Sequence, residues 1–195
     1  TLTTGVSVSY EISDGWTAAL GYNGEGSTDG LLTKEGQDIY GGQIAYTSDR
    51  YGFSLTMATL ENTTKWTTAL NEYYPDILYY ALNAYWVPEE TGFIPSLSVG
   101  FENSNLRADE TTETDTNQWF LGFQWDEAGP GKLGAAIGSA GPQFTDDNED
   151  LSMYEIFYSY PVNDGMTITP AIFVIETAAG TKDLTGIVVK TAFSF

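Results

Sequence analysis

Trp16-Thr17-Ala18-Ala19-Leu20-Gly21-Tyr22 decides the fold. In an extended chain successive side chains point to opposite faces. Trp16, Ala18, Leu20 and Tyr22 therefore share one side, and Thr17, Ala19 and Gly21 share the other. The same period of two runs through Phe53–Met57, Leu97–Phe101, Trp119–Trp125 and Ile187–Phe195. The 3.6-residue period of a helix is almost absent. Working outward, about eleven segments of roughly ten residues can be marked, the length expected of tilted membrane-crossing strands. They lie near 2–12, 15–23, 37–47, 51–60, 77–87, 92–103, 116–126, 131–140, 150–160, 166–176 and 184–195.

The connections alternate in length. Short ones carry Asp-Gly or Pro/Gly turn chemistry, as at Asp14-Gly15, Gly129-Pro130-Gly131 and Asn163-Asp164-Gly165. Long ones fall near 24–36, 61–76, 104–115, 141–149 and 177–183. Short turns at one end and longer loops at the other are the signature of an up-and-down barrel in an outer membrane. Aromatic rings gather beside the short turns: Tyr10, Trp16, Tyr46, Phe53, Trp86, Trp125, Tyr160 and Phe195, with Phe93 and Tyr158 nearby. Rings at one depth form a girdle at a membrane–water interface, here on the periplasmic side.

The two faces differ in kind. One carries Leu, Val, Ile and aromatic residues. The other is small and polar, as at Ser7, Ser9, Thr17, Gly41, Ser54, Thr56, Ser96, Ser98 and Gly122, and leaves room for water. Strand parity predicts Gln43, Asn83, Glu102, Gln124, Glu155, Ser159 and Lys190 as pore-lining residues. The predicted fold is all-β: an antiparallel up-and-down transmembrane β-barrel with the lipid bilayer as its partner. A soluble sandwich with one solvated face explains the alternation but not the girdle or the turn/loop asymmetry.

Composition narrows the function. The chain of 195 residues has 27 acidic and 7 basic residues, a formal charge of −20. Phosphate binding needs Lys and Arg, so no nucleic-acid partner is expected. With no Cys and no His, disulfides, the usual zinc sites and Ser-His or Cys-His nucleophile pairs are excluded. No apolar run approaches the ~18 residues of a membrane helix. Carboxylate pairs such as Glu89-Glu90 and Asp109-Glu110 sit in turns and loops, where solvation explains them. Asp146-Asp147-Asn148-Glu149-Asp150 offers oxygen ligands but lacks EF-hand spacing. Gly129-Pro130-Gly131-Lys132 lacks the spacing of a phosphate loop. No enzyme, cofactor or metal site is expected. Tyr79, Tyr85, Phe120 and Phe157 are further inward candidates, and a constriction loop is expected either outside this sequence or in the 61–76 segment, which carries Lys65, Trp66, Tyr73 and Tyr74.

The end of the chain carries a resemblance. Tyr158-Ser159-Tyr160-Pro161-Val162-Asn163-Asp164-Gly165-Met166-Thr167-Ile168-Thr169-Pro170-Ala171-Ile172-Phe173-Val174 precedes a short acidic loop and the Phe-ended strand Gly186–Phe195. This hairpin resembles the cyanobacterial branch of the OprB-type porins, described as carbohydrate-selective or iron-uptake porins. Asp14-Gly15-Trp16 and Asp38-Ile39-Tyr40-Gly41-Gly42 fit the same style. The resemblance implies a sixteen-stranded, usually trimeric barrel in the outer membrane, with an N-terminal cell-wall-anchoring region. Eleven strands are an odd count, whereas single-chain bacterial barrels have even ones. Residues 1–195 are therefore read as the C-terminal portion of one porin barrel domain, its other strands and anchoring region lying outside this sequence. The expected function is a passive, water-filled channel for small hydrophilic solutes and inorganic ions. The alternatives are a barrel-anchored structural or adhesive surface protein, and a soluble acidic β-sheet domain that binds glycans.

Overall fold

The computed structural model describes residues 3–25, 37–61, 76–90, 92–107, 113–140, 151–177 and 181–194. They form eleven strands and, among the described residues, no helix: β1 (Thr3–Ser13), β2 (Trp16–Glu25), β3 (Asp38–Thr47), β4 (Tyr51–Glu61), β5 (Asp76–Trp86), β6 (Ser96–Arg107), β7 (Glu113–Ala128), β8 (Gly131–Ser139), β9 (Ser152–Asn163), β10 (Met166–Ile175) and β11 (Leu184–Phe193). They make one sheet in sequence order from β1 to β11, an up-and-down topology. The pairings β1–β2, β2–β3, β3–β4, β7–β8, β8–β9, β9–β10 and β10–β11 are antiparallel. All eleven expected strands are present.

Two compact units share the sheet. The first holds β1 to β3, β4 from Gly52 onward, and parts of β5, β6 and β7. Its register runs Tyr10↔Ala18, Trp16↔Tyr46 and Tyr46↔Phe53. These pairs put Val6, Val8, Tyr10, Leu20, Ile44, Leu55 and Met57 on one face, and Ser7, Ser9, Thr17, Gly41, Gln43 and Thr56 on the other. The second holds β8 to β11 with the rest of β5, β6 and β7. There Leu133↔Tyr158, Ile156↔Ile172 and Ile172↔Ile187 share the apolar face.

Neither unit has a core: no hydrophobic residue among those described is buried. Val8 is 65 % exposed, Leu20 71 % and Ile187 74 %. A soluble sandwich would cover such a face with a second layer. Each fully covered Val, Leu, Ile or Phe contributes roughly 1.5–3 kcal/mol, so a continuous face of them seeks an apolar medium.

The boundaries differ from expectation in three places. β6 begins at Ser96, because Gly92 to Pro95 belong to the preceding connection. β6 and β7 also run further towards each other than alternation indicated, reaching Arg107 and Glu113. There a polar ladder replaces the apolar one: Asn103 Nδ2 donates to Asn117 Oδ1 at 3.0 Å and Asn105 Nδ2 to Asp115 Oδ1 at 2.7 Å. The expected long connection of 104–115 is thus largely strand. β9 continues through Pro161 to Asn163, beyond the expected strand end at 160. Proline is tolerated because the β9–β10 register shifts between Met166 and Thr167.

The short turns are tightly tied. Gly15 sits at φ 76°, a left-handed position that costs other residues strain. Its carbonyl accepts from Thr47 N at 2.8 Å. In the second unit Val87 N donates to Arg50 O at 2.6 Å, and Arg50 pairs with Glu89 at 3.1 Å. A Cβ at Gly15 would lie 2.6 Å from the Thr47 carbonyl oxygen, whereas one at Gly21 would meet only Ser7 Cβ at 3.9 Å. Gly15→Ala is expected to destabilise the folded protein by about 1–2 kcal/mol. Gly21→Ala is expected to stay within about 0.5 kcal/mol of the parent. Urea midpoints of the full-length protein refolded in lipid vesicles check both; an unchanged midpoint for Gly15→Ala contradicts this account of the turn.

Candidate functional site: the polar face

In the first unit the polar face is built of small side chains with few charges. Gln43 stands opposite Thr56 and donates to its hydroxyl at 2.9 Å. Gly41 and Ala58 lie beside them across the same strand pair. Glu102 lies on β6 within electrostatic reach of the half-buried Tyr79. Two residues on, Ser104 shares a short hydrogen bond with Thr116. Asn83 has the strand parity of Tyr79 and is exposed.

In the second unit a transverse polar row crosses four strands. Lys132 on β8 is opposite Ser159 on β9. Ser159 accepts from Thr169 Oγ1 at 3.1 Å, and Thr169 on β10 is opposite Lys190 on β11. The row is anchored at one end by Asp126, which accepts from Lys132 at 2.7 Å and from Gln124 at 3.0 Å. Lys190 has no ion-pair partner among the described residues. Glu155 lies on the same face, opposite Ala136 and Phe173.

The pairings thus bring Gln124, Glu155, Ser159 and Lys190 to one face of the second unit. Gln43, Asn83 and Glu102 belong to the first. Phe120 and Phe157 also occupy the face of Glu155. Lys65, Trp66, Tyr73, Tyr74, Asp109, Glu110 and Asp146–Asp150 lie outside the described residues, as does Phe195.

The opposite face carries the aromatic residues. Trp16 packs against Tyr46 at 5.2 Å and edge-on against Phe53 at 5.6 Å, beside the short turns. Tyr10 faces Ala18 one strand away. In the second unit Trp125 stacks on Phe123 at 6.4 Å and its indole N–H donates to Phe93 O at 3.0 Å. Tyr158 donates to Ala128 O at 2.8 Å. Tyr160 is paired with Ile168, and Trp86 is 37 % exposed.

A second aromatic set stands at the long-loop end and was missed. Tyr22 packs against Tyr40 at 5.3 Å and donates to Asp38 at 2.9 Å. In the second unit Trp119 is 43 % exposed and Tyr154 donates to Glu176 at 3.2 Å. Trp16 to Tyr22 and Trp119 to Trp125 both span six positions, about 20 Å along a strand. That recurrence was the available signal. Rings thus stand at both ends of the apolar stretch of β2 and of β7.

Trp16→Ala removes two ring contacts. An expected loss of about 1–3 kcal/mol follows, with Trp16→Phe retaining most of the stability. Urea midpoints in vesicles read the difference; equal midpoints for Trp16→Ala and the parent exclude a stabilising role for these contacts.

No curated protein sequence matches the chain. Among solved structures, an anion-selective porin from Comamonas acidovorans has the same fold, with a TM-score of 0.70 at 17 % identity. The likeness covers 98 % of this chain and 59 % of that one; the chain spans about three fifths of the porin's length. The family model described as Gram-negative porin matches residues 3–173. That match takes in nearly all of the sheet, and the chain belongs to the Gram-negative porin family.

Proposed function

We propose that this chain forms part of the wall of a passive, water-filled outer-membrane channel for small hydrophilic solutes and inorganic ions. The observation that carries the reading is an exposed apolar face backed, on the same strands, by a face of Gly, Ser, Thr, Gln and isolated charges. The apolar face meets lipid and the polar face meets water. The main-chain ladder between them satisfies N–H and C=O groups where lipid offers no partner. Family membership supports the same reading.

Gln43, Asn83, Glu102, Gln124, Glu155, Ser159 and Lys190 line the channel in this reading. β1 and β11 each have a single neighbour in the sheet, so further strands complete the barrel, with residues 1–195 supplying one portion of it. Three finer assignments rest on the Tyr158–Val174 hairpin and the Phe-ended strand alone. These are the cyanobacterial OprB-type branch with its carbohydrate or iron cargo, the outer membrane of such a cell, and a homotrimer.

Selectivity follows from charge. At −20 overall, the chain raises the local concentration of cations and repels anions. The full-length protein in a planar bilayer is expected to give stable current steps, with a reversal potential of cation-selective sign in a KCl gradient. Lys190→Glu replaces a cation that has no ion-pair partner among the described residues, and is expected to raise the cation/anion permeability ratio about two- to fivefold. Steps without cation preference discard the charge argument and keep the channel. Absence of steps from folded, inserted protein overturns the channel and favours the anchored surface protein.

A further inference from the structure

The polar face of the second unit contains a hollow that is not polar. Its floor is Ala136 and Gly138 on β8. Phe120 on β7 walls one side, Phe173 and Ile175 on β10 the other, and Met153 and Glu155 rise from β9 between them. The space is about 340 Å³, at the small end of the range for small-molecule pockets. Two glycines shape it. A side chain at Gly186 would collide with the Phe173 ring, so the ring can lie flat across β11. A Cβ at Gly138 would stand 2.6 Å from the Trp119 carbonyl oxygen, which keeps the floor open.

One full charge enters this apolar space. The Glu155 side chain is exposed, and no hydrogen bond or ion pair engages it among the described residues. Lys190 on the same face is four positions along β11 from Gly186, about 13 Å away along the strand. Lys132, four positions from Ala136 on β8, is already tied to Asp126. An unneutralised carboxylate flanked by aromatic faces and a thioether is complementary to a cation on a hydrophobic stem. The carboxylate supplies the charge-assisted hydrogen bond and the ring faces the cation–π attraction. A bare metal ion would find one carboxylate here, and the described residues hold no cluster of three metal-ligating side chains. A sugar would find rings but no array of hydrogen-bond donors.

We propose that this hollow is a binding station for small organic cations, a primary ammonium carried on an aromatic or aliphatic stem. The proposal rests on the channel reading for its access route, and its own binding can be measured apart from conduction. Phenethylammonium chloride is the probe and phenylacetate the anionic control. Both are titrated calorimetrically onto the full-length protein in detergent and added to single channels in a bilayer. The expected result is binding and transient current block with a Kd on the order of 1 mM. Glu155→Gln is expected to weaken both about tenfold, and phenylacetate to do neither. Phe173→Leu keeps the bulk but loses the ring face, with an expected weakening of about threefold.

Conducting channels with neither block nor binding at about ten times that concentration overturn the station and leave the channel intact. Equal binding by the parent and Glu155→Gln also overturns it. Glu155-dependent binding to a protein that never conducts supports the station and removes the channel reading instead.

Discussion

The antiparallel main-chain ladder is the constraint on which everything else depends. With no buried hydrophobic residue among those described, side-chain packing does not hold a strand in place as it would in a globule. The ladder does, and in lipid it must, since each main-chain N–H or C=O without a partner costs several kcal/mol there. Register then becomes a statement about solvent. Sliding β3 by one residue against β4 would turn Ile44 away from Leu55 to the polar side and Gln43 away from Thr56 to the apolar one. Such a slip is opposed by every residue of the strand at once.

This explains why so much of the fold was legible in the sequence. A strand that separates two solvents writes its register as alternation. Trp16, Ala18, Leu20 and Tyr22 could be assigned to one face with nothing else known, and the pairings to Tyr46, Ile44, Gly42 and Tyr40 agree. Turns were legible for a related reason: Gly15 is required by backbone conformation, and its Asp-Gly dipeptide announces it. Where strands leave the apolar band the signal stops. Beyond the expected ends at 103 and 116, Asn105 and Asp115 continue β6 and β7 through a hydrogen bond between polar side chains, and no period distinguishes such residues from a loop. Pro161 failed differently, because proline's usual exclusion from ladders hid a strand that accommodates it at a register shift.

The candidate site was legible only by parity. Gln124, Glu155, Ser159 and Lys190 could be assigned to one face from the alternation alone, and the pairings across β7 to β11 put them there. Parity cannot tell which residues of a face are neighbours across strands. The row from Lys132 through Ser159 and Thr169 to Lys190 is assembled from residues up to 58 positions apart. Only pair register brings them level. The same holds for Phe173, whose ring over Gly186 depends on a pairing that no single strand reveals.

The polar face of the second unit is therefore graded along its strands. Near the short turns it presents the hydrogen-bonded Lys132–Ser159–Thr169–Lys190 row, with Asp126 compensating one of its two cations. Four residues further along, the row through Ala136, Glu155, Phe173 and Gly186 presents ring faces and one uncompensated carboxylate. These rows are about 13 Å apart along the strand, more than a Debye length at physiological ionic strength. A solute beside one row is largely screened from the charges of the other. The face thus presents two separate chemical environments, one with a lysine among hydroxyl groups and one with a glutamate among apolar side chains. In the proposed channel, selectivity would depend on the order in which a solute meets the rows as well as on net charge.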